Sequence, residues 1–208
     1  MPTRLAVTEA SARRWASRAL IVVGAMLLVG SAASVARGAM ARESARSRWA
    51  ELEAQRAVSG ARDLVSGGPH WATARGTPVA RLVVSRLGLD EVVVEGVGDA
   101  ELRAGPGHMI GSVLPGERGT SVISAHRDRH FHALAGIGVG DTIVTESAGG
   151  TVTWRVARLR VVDAAHAALR AEKTPTLLLT TCWPIRFFGP APDRLIVEAV
   201  PIARARLR

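Results

Sequence analysis

Thr176-Leu177-Leu178-Leu179-Thr180-Thr181-Cys182-Trp183-Pro184 reads as a buried strand that delivers a thiol at its end. A short run of leucine and β-branched residues is the pattern of a core strand. Proline has no N–H for a ladder, so Pro184 predicts that the strand stops where Cys182 sits. Cys182 is the only cysteine among 208 residues, which excludes an intramolecular disulfide. A lone cysteine is by default a small buried hydrophobe. Its neighbours decide whether it is anything more.

Working outward, a second apolar run behaves in the same way. Ser121-Val122-Ile123-Ser124-Ala125 leads straight into His126-Arg127-Asp128-Arg129-His130-Phe131-His132. Further runs near 79–85, 91–94, 141–145, 151–162 and 194–200 are separated by turn signals, the spacing of an all-β barrel or sandwich. Between the second and third strands in chain order lies a Gly/Pro-rich segment, Gly105-Pro106-Gly107-His108 to Leu114-Pro115-Gly116-Glu117. Trp154 fits the middle of a central strand.

The net charge of +9 points first to nucleic acid, and its distribution removes that reading. Residues 1–78 hold 11 Arg against 5 acidic residues, and residues 201–208 hold 3 Arg and no acid. Residues 79–200 carry 13 basic and 13 acidic side chains and are neutral. Ala19 to Ala36 is an uncharged apolar run preceded by Arg13, Arg14 and Arg18, the pattern of a transmembrane signal-anchor. Ser34-Val35-Ala36 would also pass as a signal-peptide cleavage site. The Ala-, Arg- and Glu-rich residues 37–65 predict a solvated helical stalk with a break near Gly60, and Gly67 to Pro78 reads as a linker. The predicted organisation is a tail at 1–18, an anchor at 19–36, stalk and linker at 37–77 and a β-domain at 78–203.

Two chemistries suit the polar residues. His126, His130 and His132 beside Asp128 could ligate zinc, but no recognised ligand spacing is present. The alternative is nucleophilic catalysis by Cys182 with His126 as proton carrier. The sequence has no Asn, and its only Gln is Gln55, so no amide side chain of the β-domain can orient the His or line an oxyanion hole. That leaves backbone N–H groups or a cation to hold a developing oxyanion. If 176–182 and 194–200 form an antiparallel hairpin, Arg194 starts its strand beside Cys182. Arg186, in the connecting loop, is the second choice. Outside the enzyme reading stand an anchored redox or metal-sensing module and a non-catalytic barrel that scaffolds a surface complex.

Ser124-Ala-His-Arg-Asp-Arg-His-Phe131, Leu178-Leu-Thr-Thr-Cys182 and Asp193-Arg-Leu-Ile-Val197, in that order, resemble the active-site signatures of sortases. The likeness runs from about Pro78 to Val200, including GPGHMIGSVLPGE, and is closest to the class D-like sortases of Gram-negative bacteria. Leu178 stands where the family's TLxTC motif has its first Thr, and Ala125 where Gly is common. The resemblance implies an eight-stranded β-barrel with short helices, and a cysteine transpeptidase with Cys182 as nucleophile, His126 as proton donor and acceptor, and Arg194 on the oxyanion. It implies a surface protein with a C-terminal LPxTG-like sorting signal as substrate and an amine or water as acceptor. Some sortases bind calcium through acidic loop residues, but Asp141, Glu146 and Asp163 are scattered here, so no metal or cofactor is expected. Ala125, Thr181, Trp183, Arg186, Phe187 and Phe188 are the candidate groove residues. The expected setting is a bacterial cytoplasmic membrane, crossed once, with a monomeric catalytic domain on the extracytoplasmic side.

Overall fold

The computed structural model describes residues 3–59, 73–166 and 172–205. Eight strands close into a barrel: β1 (Pro78–Val84), β2 (Leu89–Glu95), β3 (Gly107–His108), β4 (Thr120–Ser124), β5 (Thr142–Ser147), β6 (Gly150–Asp163), β7 (Thr176–Trp183) and β8 (Asp193–Ala205). Their order around the barrel is β1-β2-β3-β4-β7-β8-β6-β5, and β5 pairs back onto β1. The pairs β2–β3 and β4–β7 are parallel and the rest antiparallel. A short helix, α2 (Asp99–Ala104), and single 3₁₀ turns fill the connections.

The leucine run of β7 lacks alternation because both of its faces are covered. Leu177 and Leu179 enter the main core with Leu82, Val93, Ile123, Phe131, Trp154 and Val197. Leu178 faces the other way and packs with Val122 and Ile196. Trp154 is fully buried, and its indole N–H donates to Thr145 Oγ1 at 2.7 Å. The Gly/Pro-rich segment contains β3, a two-residue strand that bridges β2 to β4 through Gly107 and His108. A Cβ on Gly107 would lie 2.1 Å from the Gly96 carbonyl oxygen, so the bridge needs glycine there. Strand β7 runs one residue beyond Cys182, to Trp183, before Pro184 ends it.

Helix α1 (Thr3–Ser59) precedes the barrel, and the break expected near Gly60 lies outside the described residues. By packing, the chain divides into residues 1–40 and 41–208. In the first unit Leu20, Ile21, Leu27 and Leu28 are exposed, and the helix is long and apolar enough to cross a membrane. In the second unit the reading of a fully solvated stalk is corrected. Ala45, Trp49 and Leu52, spaced four and three residues apart, form one helical stripe that packs on Val92 and Val94 of β2. The stripe is short and begins with alanine, so its apolar content was too small to stand out. The end of the stalk reading, from residue 60, and the first half of the linker reading, residues 67–72, lie outside the described residues.

Two outcomes follow from these contacts. Replacing Thr145 with Val keeps the shape but strands a buried indole N–H, so urea unfolding should show a loss of about 1–3 kcal/mol; unchanged stability would contradict the assigned bond. Asp141 accepts from the Arg86 guanidinium and from the Gly138 N–H, and the Arg86 bond holds its carboxyl below the usual range. A carboxylate depressed in the folded state contributes above its unfolded value of about 4 and loses that contribution as pH falls. The Asp141→Asn variant should therefore melt lower than wild type at neutral pH, with the gap closing at acid pH. A gap that persists there would contradict the ion pair.

Candidate active site

Strand pairing alone brings the three candidate residues together. Parallel β4 and β7 run in register from Thr120↔Thr176 to Ser124↔Thr180. Beyond the ladder the Ala125 N–H donates to the Thr180 carbonyl at 3.1 Å, and Thr181 Oγ1 donates to the Ala125 carbonyl at 2.8 Å. The next residue on each chain is His126 and Cys182, so the two leave adjacent strands side by side. On the other flank, antiparallel β8 places Arg194 directly opposite Cys182. Cys182 thus lies between His126 and Arg194, with neighbouring strands about 4.8 Å apart.

Alternation sets which way these groups face. Leu178 and Ile196 share the outer cluster, so Cys182 and Arg194, each an even number of residues along, belong to that outer face. Cys182, His126 and Arg194 are each half-buried. Just below them Ser124 Oγ and Thr180 Oγ1 are 2.7 Å apart, a hydrogen bond that ties β4 to β7 on the same face. Val122, Leu178 and Ile196, with Met109 and Val162 packed against them, form a small buried apolar cluster on that side. Farther along, a cavity of about 220 Å³ is lined by Arg158, Arg160, Glu172, Thr176, Leu178 and Glu198.

Arg194 donates from Nη1 to the carbonyls of Ala191 at 3.1 Å and Asp193 at 3.0 Å. Its Nε and Nη2 have no hydrogen-bond partner among the described residues, and neither do Cys182 and His126 bond to each other there. Catalytic hydrogen bonds often tighten only once substrate is bound. The trio offers a nucleophile, a proton carrier and a cation within one short stretch of surface.

The loop after β7 rises beside this trio. Ile185 is buried and anchors it, whereas Arg186, Phe187 and Phe188 are exposed. Thr181 and Ala125 are buried and bond to each other, and Trp183 packs against the core, so these three support the surface from beneath. Arg127, absent from the sequence reading, donates from Nη1 to the Pro184 carbonyl at 2.6 Å and from Nη2 to the Gly189 carbonyl. It lashes the loop after β7 to the turn that begins at His126. The only signal for it was its place next to His126. His130 is buried and His132 exposed, and no group of three or more His, Cys, Asp or Glu among the described residues is arranged to hold a metal ion.

Three comparisons bear on this geometry. The Sortase domain family model matches residues 82–202, more than half of the chain. Sortase D of Bacillus subtilis (strain 168) is 32% identical over 119 residues, which cover 56% of this chain and 60% of that relative. Among solved structures, the Clostridium perfringens Sortase D5 transpeptidase superimposes with a TM-score of 0.60 at 20% identity, over 81% of this chain and 99% of that one. The catalytic domain of B. anthracis SrtD does so with a TM-score of 0.55 at 30% identity, over 68% and 96%. The first structure shares the fold, and the second shares fold and sequence. With a family match that spans the barrel from β1 into β8, the chain belongs to the sortase family.

Proposed function

We propose that the chain is a membrane-anchored cysteine transpeptidase that cleaves a C-terminal LPxTG-like sorting signal and passes the protein to an amine or to water. The observation that carries this reading is the register that sets Cys182 between His126 and Arg194 on one outer face. The apolar run of α1 supports the anchor. A single crossing with the barrel on the extracytoplasmic side of a bacterial cytoplasmic membrane completes the proposal, as does a monomeric catalytic domain.

In this mechanism the Cys182 thiolate attacks the scissile carbonyl carbon and a C–S bond forms. The carbonyl electrons move to oxygen, where the free donors of Arg194 meet the new negative charge. As the tetrahedral centre collapses, the C–N bond breaks and His126, as imidazolium, gives its proton to the leaving amine. The product is a thioester on Cys182. An incoming amine then attacks that carbonyl, gives a proton to His126, and the sulfur leaves as thiolate. Water in place of the amine gives hydrolysis. Upstream residues of an extended substrate would run along the outer face toward the cavity at Arg158, Thr176 and Leu178, since four residues of strand span roughly 13 Å. Phe187 and Phe188 would form the wall on the loop side.

Cys182→Ala should abolish cleavage of an LPxTG peptide while leaving the circular dichroism spectrum unchanged. Arg194→Ala should lower kcat by about 10²–10³, or roughly 2.7–4 kcal/mol, with KM nearly constant, because its bonds to the oxyanion form in the transition state. Arg194→Lys keeps the charge without the planar fork and should recover part of the loss. Arg186→Ala should chiefly raise KM. A collapse of kcat in Arg186→Ala, with Arg194→Ala near wild type, would reverse the assignment. The pH profile of kcat/KM should be bell-shaped, because one group must lose a proton and the other keep one. A rate that stays flat to high pH would remove His126 from the acid role.

A further inference from the structure

A buried charge cluster joins α1 to the turn that His126 opens. Glu91, at the start of β2, is 6% exposed, and a carboxylate so placed must have partners. Arg42 of α1 supplies two: its Nε donates to Glu91 Oε2 at 3.2 Å, and its Nη2 donates to Oε1. The third is His130, whose Nδ1 lies 3.3 Å from Glu91 Oε2. The His130 ring is 5% exposed, and its Nε2 has no hydrogen-bond partner among the described residues. Among the described residues, the ring's one polar contact is therefore the carboxylate that Arg42 holds.

His130 stands four residues after His126 in a turn that closes on His126 itself. The N–H groups of Phe131 and Arg129 both donate to the His126 carbonyl, at 3.2 Å and 3.4 Å. Phe131 is fully buried in the core and His130 is held against β2. On β2, strand β3 reaches only Val94 and Glu95, so it stops short of Glu91 on that side. There the turn after β4 reaches Glu91.

We propose that Arg42 is a positioning residue for His126, acting through Glu91 and His130. This rests on the catalytic reading of His126 given above. The docked part of α1 then serves the active site as well as the anchor. With Arg42 gone, Glu91 keeps a single polar partner, His130 loses its fixed mate, and the turn gains freedom at its His126 end. The Ala45–Trp49–Leu52 stripe keeps the helix seated on β2, so the loss stays local.

The test uses the full chain in detergent micelles with an LPxTG peptide, alongside hydrogen exchange of the same samples. Arg42→Ala should lower kcat on the order of 10–10²-fold, the scale of a misplaced catalytic group, with KM within about twofold. Arg42→Lys should recover part of the rate. Exchange at the Arg129 and Phe131 amides should quicken while β7 and β8 stay as in wild type. Arg46→Ala is the control: it sits on the same helix, its one hydrogen bond among the described residues is to the Asp90 carbonyl at 3.5 Å and its charge acts on the Asp90 carboxyl rather than on Glu91, so neither readout should move. Adding Glu91→Gln to Arg42→Ala should cost little more than Arg42→Ala alone, since both act along one line. Wild-type exchange at Arg129 and Phe131 in Arg42→Ala would overturn the proposal, as would a loss shared equally by Arg46→Ala or exchange rising over the whole barrel. If Cys182→Ala still cleaves peptide, the catalytic reading itself falls. If Cys182→Ala is dead and Arg42→Ala keeps wild-type kcat, only the positioning role falls.

Discussion

The parallel pairing of β4 with β7 is the constraint on which the rest of the structure depends. It is set by an apolar match on two faces: Ile123 and Leu179 point into the main core, while Val122 and Leu178 share the outer cluster. A slip of one residue would send every side chain of β7 to the opposite face. Leu177 and Leu179 would leave the core, and Cys182 would turn inward beneath the surface. The Ser124–Thr180 hydrogen bond adds a polar lock to this register, one step before His126 and Cys182 emerge. Packing that stabilises the barrel therefore also sets where the thiol sits relative to the imidazole.

Strand β8 adds the third member by a different rule. Antiparallel neighbours meet end to start, so the residue that opens β8 must lie across from the one that closes β7. This is why Arg194 was legible from the chain without any knowledge of its contacts. Its bonds to the Ala191 and Asp193 carbonyls were not legible, because they depend on how the loop folds back. The same division holds across the domain. Strong apolar runs announced seven strands, whereas β3 is two residues long and owes its place to the small size of Gly107. No periodicity can announce a strand of that length.

The parts of the active-site surroundings that stayed hidden are all long-range polar contacts. Arg127 reaches residues 57 and 62 positions away. Arg42 and Glu91 are 49 positions apart, and His130 joins them from a third element. In the sequence these side chains look like solvated charges on a helix, a strand edge and a His-rich turn. Only the fold shows that two of them are buried and must satisfy one another. The docked stripe of α1 is apolar but was hidden by the same long range, since Ala45 and Leu52 gain meaning only once Val92 and Val94 face them. The excess positive charge lies outside residues 79–200 and agrees with a tethered domain whose own surface is close to neutral.

The central claim is that the sulfur at the end of β7 becomes covalently acylated. It is tested most directly by intact-protein mass spectrometry of the full chain quenched in acid during turnover of an LPxTG peptide. The account predicts an adduct equal to the peptide's N-terminal part, mapped to Cys182 and removed by hydroxylamine, as a thioester is. Cleaved peptide with no such adduct, or an adduct that forms equally on Cys182→Ala, would contradict it.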